Sequence, residues 1–443
     1  MRVVFVVWPA AAHLYPMVPL AWSLQCAGHE VCVASHPNLA PYTKSVGLTP
    51  VSLGGDDLPP PTGPAGAYPA EREMMAGMTD ELLGELDDRE PWDTVTQFLL
   101  PAAWDFNPYQ APPSQPLPVM DDLAEFTRNW RPDLVLWDPC MPGAAVAAKA
   151  CGAAHARHLY GQDYQAWLGD RLAAHTDRTG VELENLLAGT IRPMAERYHV
   201  DVDDELLFGA WTIDPMPVPT RLHTTTNTVG MRWIPYSWQT PLPSWLKSRA
   251  ERPRVALTLG VSQREFLKGG WDYVPTLLDA ASGIDIEMVA TLNATQLVDV
   301  SQVPGNVRTV DYVPLNQLLP TCSAIIHHGS SGTLAASCTA GLPQLITDHP
   351  QVVAEAVTDD EGGMGATKHT SSIVGARYIT SRGAGAIVDI ANPSAEVIRK
   401  QILDVLAKPS FRIGAARVRD DYLAMPSPSE IVPTLERLTA AHR

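Results

Sequence analysis

Short runs of apolar residues, many of them β-branched, alternate along the chain with Ala- and Leu-rich segments of helical length. In the first half, residues 2–8 predict a buried strand, residues 20–27 a helix that Gly28 stops, and residues 30–34 a second strand. Further runs that predict strands are residues 132–137, 254–260, 286–291, 307–310 and 324–326. This βαβ rhythm occurs twice and predicts an α/β fold with two Rossmann-like, doubly wound parallel sheets.

The domain organisation follows from the length and from a proline-dense middle. A chain of 443 residues suits two domains better than one core. Because prolines cluster in the middle of the chain, we predict an N-terminal Rossmann-like domain over residues 1–215 and a linker over 216–250. A C-terminal Rossmann-like domain over 251–408 and a helical tail over 409–443 complete the prediction, with the tail packing back toward the N-terminal domain.

The two sheets are expected to face each other across a cleft. Ligands of open parallel sheets bind beyond the carboxyl ends of the strands. The turns after the predicted strands that end at Trp8, Trp137, Gly260 and His328 should therefore line that cleft.

Charge and composition narrow the class of protein. The formal net charge of −17 disfavours binding to nucleic acid or to anionic membranes. The six cysteines form no CxxC pair, which indicates a reduced, cytoplasmic protein without structural zinc. No run is apolar for long enough to predict a membrane span, and the start of the chain reads as a first strand rather than a signal peptide. The oligomeric state stays open, with a homodimer one possibility.

An anion site is predicted where residues 324–326 end in two histidines and a turn of small residues. The turn leads into an Ala-rich helix that Gly341 and Pro343 stop. Free backbone N–H groups and the positive end of the helix dipole suit a phosphorylated ligand. The predicted binding residues are His328, Gly329, Ser330, Ser331, Gly332 and Thr333. An ordinary strand–turn–helix connection is the alternative.

Two further turns are candidates for donor binding. Gly260 and Ser262 end another predicted strand and would place a second set of hydrogen-bond donors near the anion site. Tyr312 and Val313 stand in a proline-fixed loop that could present backbone groups to a flat base. A plain βα turn and a rigid connector are the respective alternatives.

Two residues are candidates for catalysis. His13 follows the first strand in a loop without the glycine-rich phosphate motif, so an NAD-type enzyme is disfavoured. An imidazole can take a proton from a hydroxyl near neutral pH when a carboxylate holds its other nitrogen. Asp138 closes the strand over residues 133–137 at the same sheet edge and is the best candidate for that carboxylate. A capped loop histidine and the N-cap of a helix from Met141 are the alternatives.

A metal site is not favoured. Asp201 and Asp203 are spaced like the D-x-D metal motif of some sugar-transferring enzymes, but further acids and an apolar helix follow. A solvated helix start explains this segment better.

Several segments spread along the chain resemble the GT-B glycosyltransferases of family 1. Within that family they are most similar to the actinobacterial enzymes that attach TDP-deoxysugars, often amino sugars, to macrolides and related polyketides. The matching segments are residues 17–22, 27–31, 130–137, 211–215, 228–232, 257–260, 306–310, 318–322, 327–329 and 414–421.

The resemblance implies an inverting, metal-independent transfer that needs no cofactor beyond the TDP-sugar donor. His13 would be the general base, Asp138 would orient it, and His328 with the following turn would hold the diphosphate. It also implies that some members need a P450-like auxiliary protein docked on the N-terminal lobe, and the segments around residues 71–86 and 163–200 are the candidate docking sites. The alternative is that these segments form only the wall of the acceptor pocket. A sugar-nucleotide epimerase of the same fold and a non-catalytic partner subunit are the alternatives. The aromatic region over residues 91–118 favours a large hydrophobic acceptor over the epimerase.

Overall fold

Two parallel sheets organise the computed structural model, which describes residues 1–55, 71, 73–75, 77–78, 82, 89–261, 270–348, 356–358, 364–366 and 372–442. The strands are β1 (Arg2–Val6), β2 (Glu30–Ser35), β3 (Thr49–Ser52), β4 (Leu134–Trp137), β5 (Ala154–His158), β6 (Trp211–Asp214), β7 (Thr228–Gly230), β8 (Arg254–Thr258), β9 (Glu287–Thr291), β10 (Val307–Val310), β11 (Ala324–His327), β12 (Gln344–Asp348), β13 (Ala356–Thr358), β14 (Met364–Ala366) and β15 (Gly385–Asp389).

Helices connect the strands and cover both sheets. They are α1 (Ala11–Leu14), α2 (Val18–Cys26), α3 (Ala40–Ser45), α4 (Glu90–Thr94), α5 (Leu100–Trp104), α6 (Pro118–Trp130), α7 (Gly143–Cys151), α8 (Tyr164–Thr179), α9 (Leu186–Tyr198), α10 (Asp204–Phe208), α11 (Val274–Ala280), α12 (Leu315–Leu318), α13 (Ser331–Ala340), α14 (Ser372–Ser381), α15 (Ala395–Ala407), α16 (Pro409–Leu423) and α17 (Pro428–Ala441). A π-helical turn, Val95–Leu99, joins α4 to α5.

The strand orders confirm the predicted fold class. The first sheet is ordered β3-β2-β1-β4-β5-β6-β7 and the second β10-β9-β8-β11-β12-β15. Neighbouring strands in both sheets run parallel. Because helices cover both faces of such sheets, their central strands are continuous apolar runs. In β1, for example, residues 3–6 are fully buried.

Both sheets reverse their strand order at the point where the predicted site residues lie. In the first sheet β1 and β4 are neighbours, and in the second β8 and β11 are neighbours. His13 follows β1, Asp138 follows β4, Gly260 follows β8 and His328 follows β11. Open parallel sheets bind ligands in the crevice at such switch points, so the topology brings these four positions to two facing crevices.

The segment predicted as a linker contributes to the first sheet. Strand β7 lies inside residues 216–250 and pairs with β6, so this part of the chain is a sheet edge as well as a connection. At the other end of the chain, Ile431, Val432 and Leu435 of α17 lie in the core of the first sheet. The exact domain boundaries stay a prediction.

Two segments lie largely outside the described residues. One is the candidate docking segment around residues 71–86, and the other is residues 349–371, in which β13 and β14 form an antiparallel pair. Across the described ranges, no helix is long and apolar enough to cross a membrane.

Candidate active site

A cavity of about 420 Å³ lies between the two sheets and has walls from both. The turns after β1, β4, β8 and β11 all contribute to its lining, as the sequence predicted. The predicted site residues that line it are His13, Gly260, Tyr312, Val313, His328, Gly329, Ser330, Ser331, Gly332 and Thr333. Asp138 lies behind His13 and is fully buried, while Ser262 falls outside the described residues.

His13 and Asp138 form a hydrogen-bonded dyad. The Nδ1 atom of His13 donates to Oδ2 of Asp138 at 2.7 Å. The other carboxylate oxygen, Oδ1, accepts the backbone N–H of Cys140 at 2.8 Å. Since Asp138 holds Nδ1, the nitrogen of His13 that is left for a substrate is Nε2, and this is the geometry that a general base requires.

The local structure corrects two readings of the dyad. His13 lies in the short helix α1 rather than in a loop. The helix after β4 begins only at Gly143, with Pro142 as its N-cap. Asp138 is therefore not a helix cap. One of its carboxylate oxygens accepts a hydrogen bond from the turn and the other accepts one from the imidazole.

Aromatic rings surround the imidazole. The ring centroid of Tyr160 is 4.1 Å from that of His13, and the centroid of Trp8 is 5.0 Å away. The hydroxyl of Tyr160 lies 3.2 Å from Sγ of Cys140. Sequence reasoning missed Tyr160, although its position just after β5, the strand beside β4, could have indicated a place at the cleft.

Cys140 completes a group of three potential metal ligands with the dyad, whose ligand atoms lie within 4.8 Å of one another. Burial, followed by the nearby Asp138 charge, raises the pKa of the Cys140 thiol well above its ordinary value. A neutral thiol is a poor metal ligand, and Nδ1 of His13 is already bonded to Asp138. The geometry therefore suits a proton-transfer dyad better than a metal centre.

The two adjacent histidines at the end of β11 have different surroundings. His327 is fully buried, its Nε2 hydrogen-bonds to Oε1 of Gln344 at 2.9 Å, and its Nδ1 accepts the N–H of Gly329 at 3.1 Å. Burial lowers the pKa of His327 to about 4, so this imidazole is neutral near pH 7. His327 shapes the turn, whereas His328 lines the cavity.

Gly260 makes room for His328. Its φ of +82° is a backbone conformation that glycine adopts without strain. A Cβ atom at this position would lie only 2.3 Å from Cε1 of the His328 ring. The absence of a side chain at Gly260 thus leaves the space that the imidazole occupies.

The N-terminus of α13 opens into the cavity. Its N-cap, Ser330, makes no side-chain capping hydrogen bond to the helix, and its hydroxyl instead contacts that of Thr333 at 3.3 Å. The first intrahelical bond in this turn runs from Leu334 to Ser330. The N–H groups of the first turn have no partner within the helix, and with the helix dipole they favour an anion.

A buried ion pair holds the turn after β5. Arg157 is fully buried and donates two hydrogen bonds of 2.7 Å to the two carboxylate oxygens of Asp163. Asp163 also caps α8 by accepting the N–H of Ala166. Because residues 159–165 line the cavity, this pair fixes one of its walls.

The acceptor wall differs from the one predicted over residues 91–118. Among the five aromatic residues that favoured a hydrophobic acceptor site, Phe98 lines the cavity. Trp92 and Trp104 are instead buried in a core cluster, and Phe106 in another, so the prediction was wrong about their place. The apolar wall is built by the π-helical turn with Phe98 and Leu99, by Ala102, and by Tyr164.

The connecting segment supplies further aromatic residues that sequence reasoning missed. Trp233, Tyr236 and Trp238 line the cavity. The Tyr312 hydroxyl donates to the backbone oxygen of Trp238 at 2.8 Å, which ties this segment to the second sheet. These three residues lie in a proline-rich stretch with neither helix nor strand periodicity, so the sequence did not indicate that they would line a cavity.

The Asp201-x-Asp203 segment is a helix start, as the sequence favoured. Asp203 caps α10 by accepting the N–H of Leu206 at 2.7 Å.

Comparison with known proteins decides the family. Residues 102–260 match the model of the erythromycin biosynthesis protein CIII-like N-terminal domain, and residues 275–438 match that of its C-terminal domain. The chain belongs to this family. As in the expectation from the sequence, its fold is GT-B and it is a glycosyltransferase.

Individual members of the family are similar over their whole length. The chain is 38% identical to 10-deoxymethynolide desosaminyltransferase of Streptomyces venezuelae, covering 100% of this chain and 98% of that protein. It is 32% identical to the spinosyn forosaminyltransferase SpnP, with a TM-score of 0.78 and 99% of each chain covered. The glycosyltransferase VinC, solved in complex with dTDP, is 30% identical, with a TM-score of 0.76 and 100% of each chain covered.

Proposed function

We propose that this chain is an inverting, metal-independent transferase that moves a deoxysugar, an amino deoxysugar being favoured, from a TDP-sugar to a hydroxyl of a polyketide. The observation that carries the proposal is that one cavity is lined by His13 from the first lobe and by the turn over residues 328–333 from the second. The names of the relatives support the substrate classes, since they include desosaminyl and forosaminyl transferases and a dTDP complex.

In the proposed displacement, the first lobe supplies the base that activates the acceptor hydroxyl. Nε2 of His13 takes the proton of the acceptor hydroxyl while Asp138 stabilises the imidazolium that forms. The acceptor oxygen then bonds to the anomeric carbon as the bond from that carbon to the diphosphate oxygen breaks. Attack from the face opposite the leaving group inverts the configuration, and both partners are held in place for the displacement.

The second lobe stabilises the departing diphosphate. The first-turn N–H groups of α13 and the imidazole of His328 supply donors and a positive dipole end. Gly260 keeps His328 in place, and Tyr312 and Val313 border the space for the base. The described residues that line the cavity include neither lysine nor arginine, and the donors that they offer to the diphosphate are backbone N–H groups, hydroxyls and an imidazole.

The acceptor binds on the first lobe. Phe98, Leu99, Ala102 and Tyr164 form an apolar surface next to the dyad, which favours a large hydrophobic aglycone over a second sugar nucleotide.

The proposal also covers the cellular location of the protein and the partners that it binds. All six cysteines are free thiols, which supports a reducing, cytoplasmic location. No cofactor is needed for the steps above. Helices α8 and α9, within residues 163–200, are the surface on which a P450-like auxiliary protein would dock, and a homodimer is the proposed assembly if the chain is not a monomer.

The experiment is a transfer assay with a panel of TDP-deoxysugars and polyketide aglycones in the presence of EDTA. We expect a glycosylated product by mass spectrometry, with anomeric configuration opposite to that of the donor by NMR. A product with retained configuration, or activity that EDTA abolishes, would contradict the mechanism. Conversion of the sugar nucleotide without any acceptor would favour the epimerase, and inactivity toward every pair would favour a non-catalytic subunit.

A further inference from the structure

We propose that Tyr160 is a positioning residue that holds the imidazole of His13 in its catalytic orientation. This inference rests on the function proposed for His13. The hydrogen bond to Asp138 fixes the direction of Nδ1, but one hydrogen bond leaves the ring free to rotate about that axis. The Tyr160 ring, with its centroid 4.1 Å away and its plane inclined by 46°, restricts this rotation. The direction of Nε2 therefore depends on Tyr160.

Tyr160 is anchored to the same residue as the catalytic carboxylate. Its hydroxyl contacts Sγ of Cys140 at 3.2 Å, and the N–H of Cys140 donates to Oδ1 of Asp138. Its backbone lies in the turn that the buried Arg157–Asp163 pair holds. Tyrosine, carboxylate and imidazole thus form one closed set of contacts.

Both lobes contact Tyr160. Its side chain packs against the first-lobe core cluster that contains Trp137 and against the cluster that contains Leu334 of α13. In the next residue, a Cβ atom at Gly161 would lie 3.8 Å from Oγ of Ser331, in the turn proposed to hold the diphosphate. The side chain that orients the base therefore lies where the donor-binding lobe meets the first lobe.

A proton-transfer role for Tyr160 is disfavoured. Burial, followed by the electrostatic effect of the adjacent Cys140 and Asp138 side chains, raises the pKa of this phenol well above its ordinary value. The neutral ring acts through contact, so its shape matters more than its hydroxyl.

The test measures kcat and the KM for the TDP-sugar in Tyr160→Phe, Tyr160→Leu and Tyr160→Met by varying the donor at saturating acceptor. Phenylalanine keeps the ring, and we expect kcat within about threefold of the parent. Leucine and methionine remove it, and we expect kcat to fall about 10- to 100-fold while KM for the TDP-sugar stays within about twofold. The control is Phe126→Leu, which removes an aromatic ring packed against the same first-lobe core at a position that does not line the cavity and should keep the parental kcat.

A spectroscopic readout covers variants that fold poorly or lose activity for other reasons. In protein labelled with ¹³C-histidine, the His13 Cε1–H signal, assigned by its loss in His13→Ala, should carry a ring-current shift in the parent and in Tyr160→Phe. In Tyr160→Leu or Tyr160→Met, whichever folds, the signal should move, because the contribution of the Tyr160 ring is lost while that of Trp8, with its centroid 5.0 Å away, remains. Parental kcat in these variants, equal loss in Phe and Leu, or an unmoved signal would each overturn the proposal. A parental transfer rate in His13→Ala would instead overturn the proposed function.

Discussion

Gly260 and His328 show how one missing side chain makes room for a proposed binding group. The imidazole of His328 occupies the space in which a Cβ atom of residue 260 would stand, 2.3 Å from Cε1. The glycine also adopts φ +82°, so its role combines backbone freedom with close approach. Gly260 follows β8 and His328 follows the neighbouring strand β11. The sequence shows that residue 260 is a glycine, but it does not show that His328 lies next to it.

Substituting Gly260 by alanine should displace His328 and weaken donor binding. We expect the Kd for TDP, measured by calorimetry, to rise about tenfold, equivalent to ~1.4 kcal/mol. Gly283→Ala is the matched control, because Gly283 has φ +76° but nothing within 4 Å of its added Cβ. Both substitutions introduce a similar backbone strain because both glycines have a positive φ. Equal TDP affinity in the two variants would contradict the proposal that Gly260 makes room for His328.

At the scale of elements, helix α13 has a capped C-terminus and an N-terminus that we propose binds the diphosphate. Its C-terminus is closed by Gly341 in the left-handed conformation, whereas its N-cap Ser330 leaves the first turn without a side-chain cap. A helix that lacks this cap gives up about 1 kcal/mol of stability. We interpret the missing cap as a loss of helix stability that leaves backbone N–H groups available to bind the diphosphate.

Ser330→Asp should therefore change stability and binding in opposite directions. An aspartate would cap α13 and complement its dipole, raising the thermal midpoint by about 1–3 °C. The same negative charge should repel the diphosphate and weaken TDP binding about tenfold or more. Ser394→Asp is the control, since Ser394 caps α15 away from the cavity, and it should leave TDP binding unchanged. Tighter TDP binding in Ser330→Asp would contradict the anion site.

The elements themselves could be predicted from the sequence, since strands β1, β2, β4 and β8–β11 lie within one or two residues of the apolar runs that indicated them. Parallel strands buried on both faces give that signal directly. The dyad partners were also accessible, because residues after neighbouring strands meet at one edge. Tyr160 was missed because the strand before it, β5, was not among the predicted runs. Trp238 was not accessible because its place depends on a proline-rich connection and on the fit of two lobes, which leave no period in the sequence.

At the scale of the whole molecule, folding buries neutral histidines in both sheets. Burial lowers the pKa of His155, of His158 and of His327 to about 4 each, from an ordinary 6.5. Between pH 6.5 and 4 the unfolded chain binds protons at these positions that the folded chain does not. The free energy of unfolding should therefore fall as the pH falls through this window, by roughly 1.4 kcal/mol per pH unit for each histidine.

His155→Gln tests this dependence away from the cavity. The variant removes one such proton, so its unfolding free energy should fall less steeply between pH 6.5 and 4.5, by roughly 1 kcal/mol per pH unit. Urea unfolding at a series of pH values measures the slope. His223→Gln, at an exposed position, is the control and should keep the parental slope. An unchanged slope in His155→Gln would mean that this histidine is not held neutral by burial.

The central claim is that the two lobes act on opposite sides of one bond, the first through His13 and the second through the turn over residues 328–333. Single-turnover transfer by His13→Ala, with TDP affinity measured on the same protein, separates the two roles. We predict that TDP affinity stays within about twofold of the parent while the transfer rate falls by about 10²–10⁴-fold. A transfer rate equal to that of the parent would contradict the account.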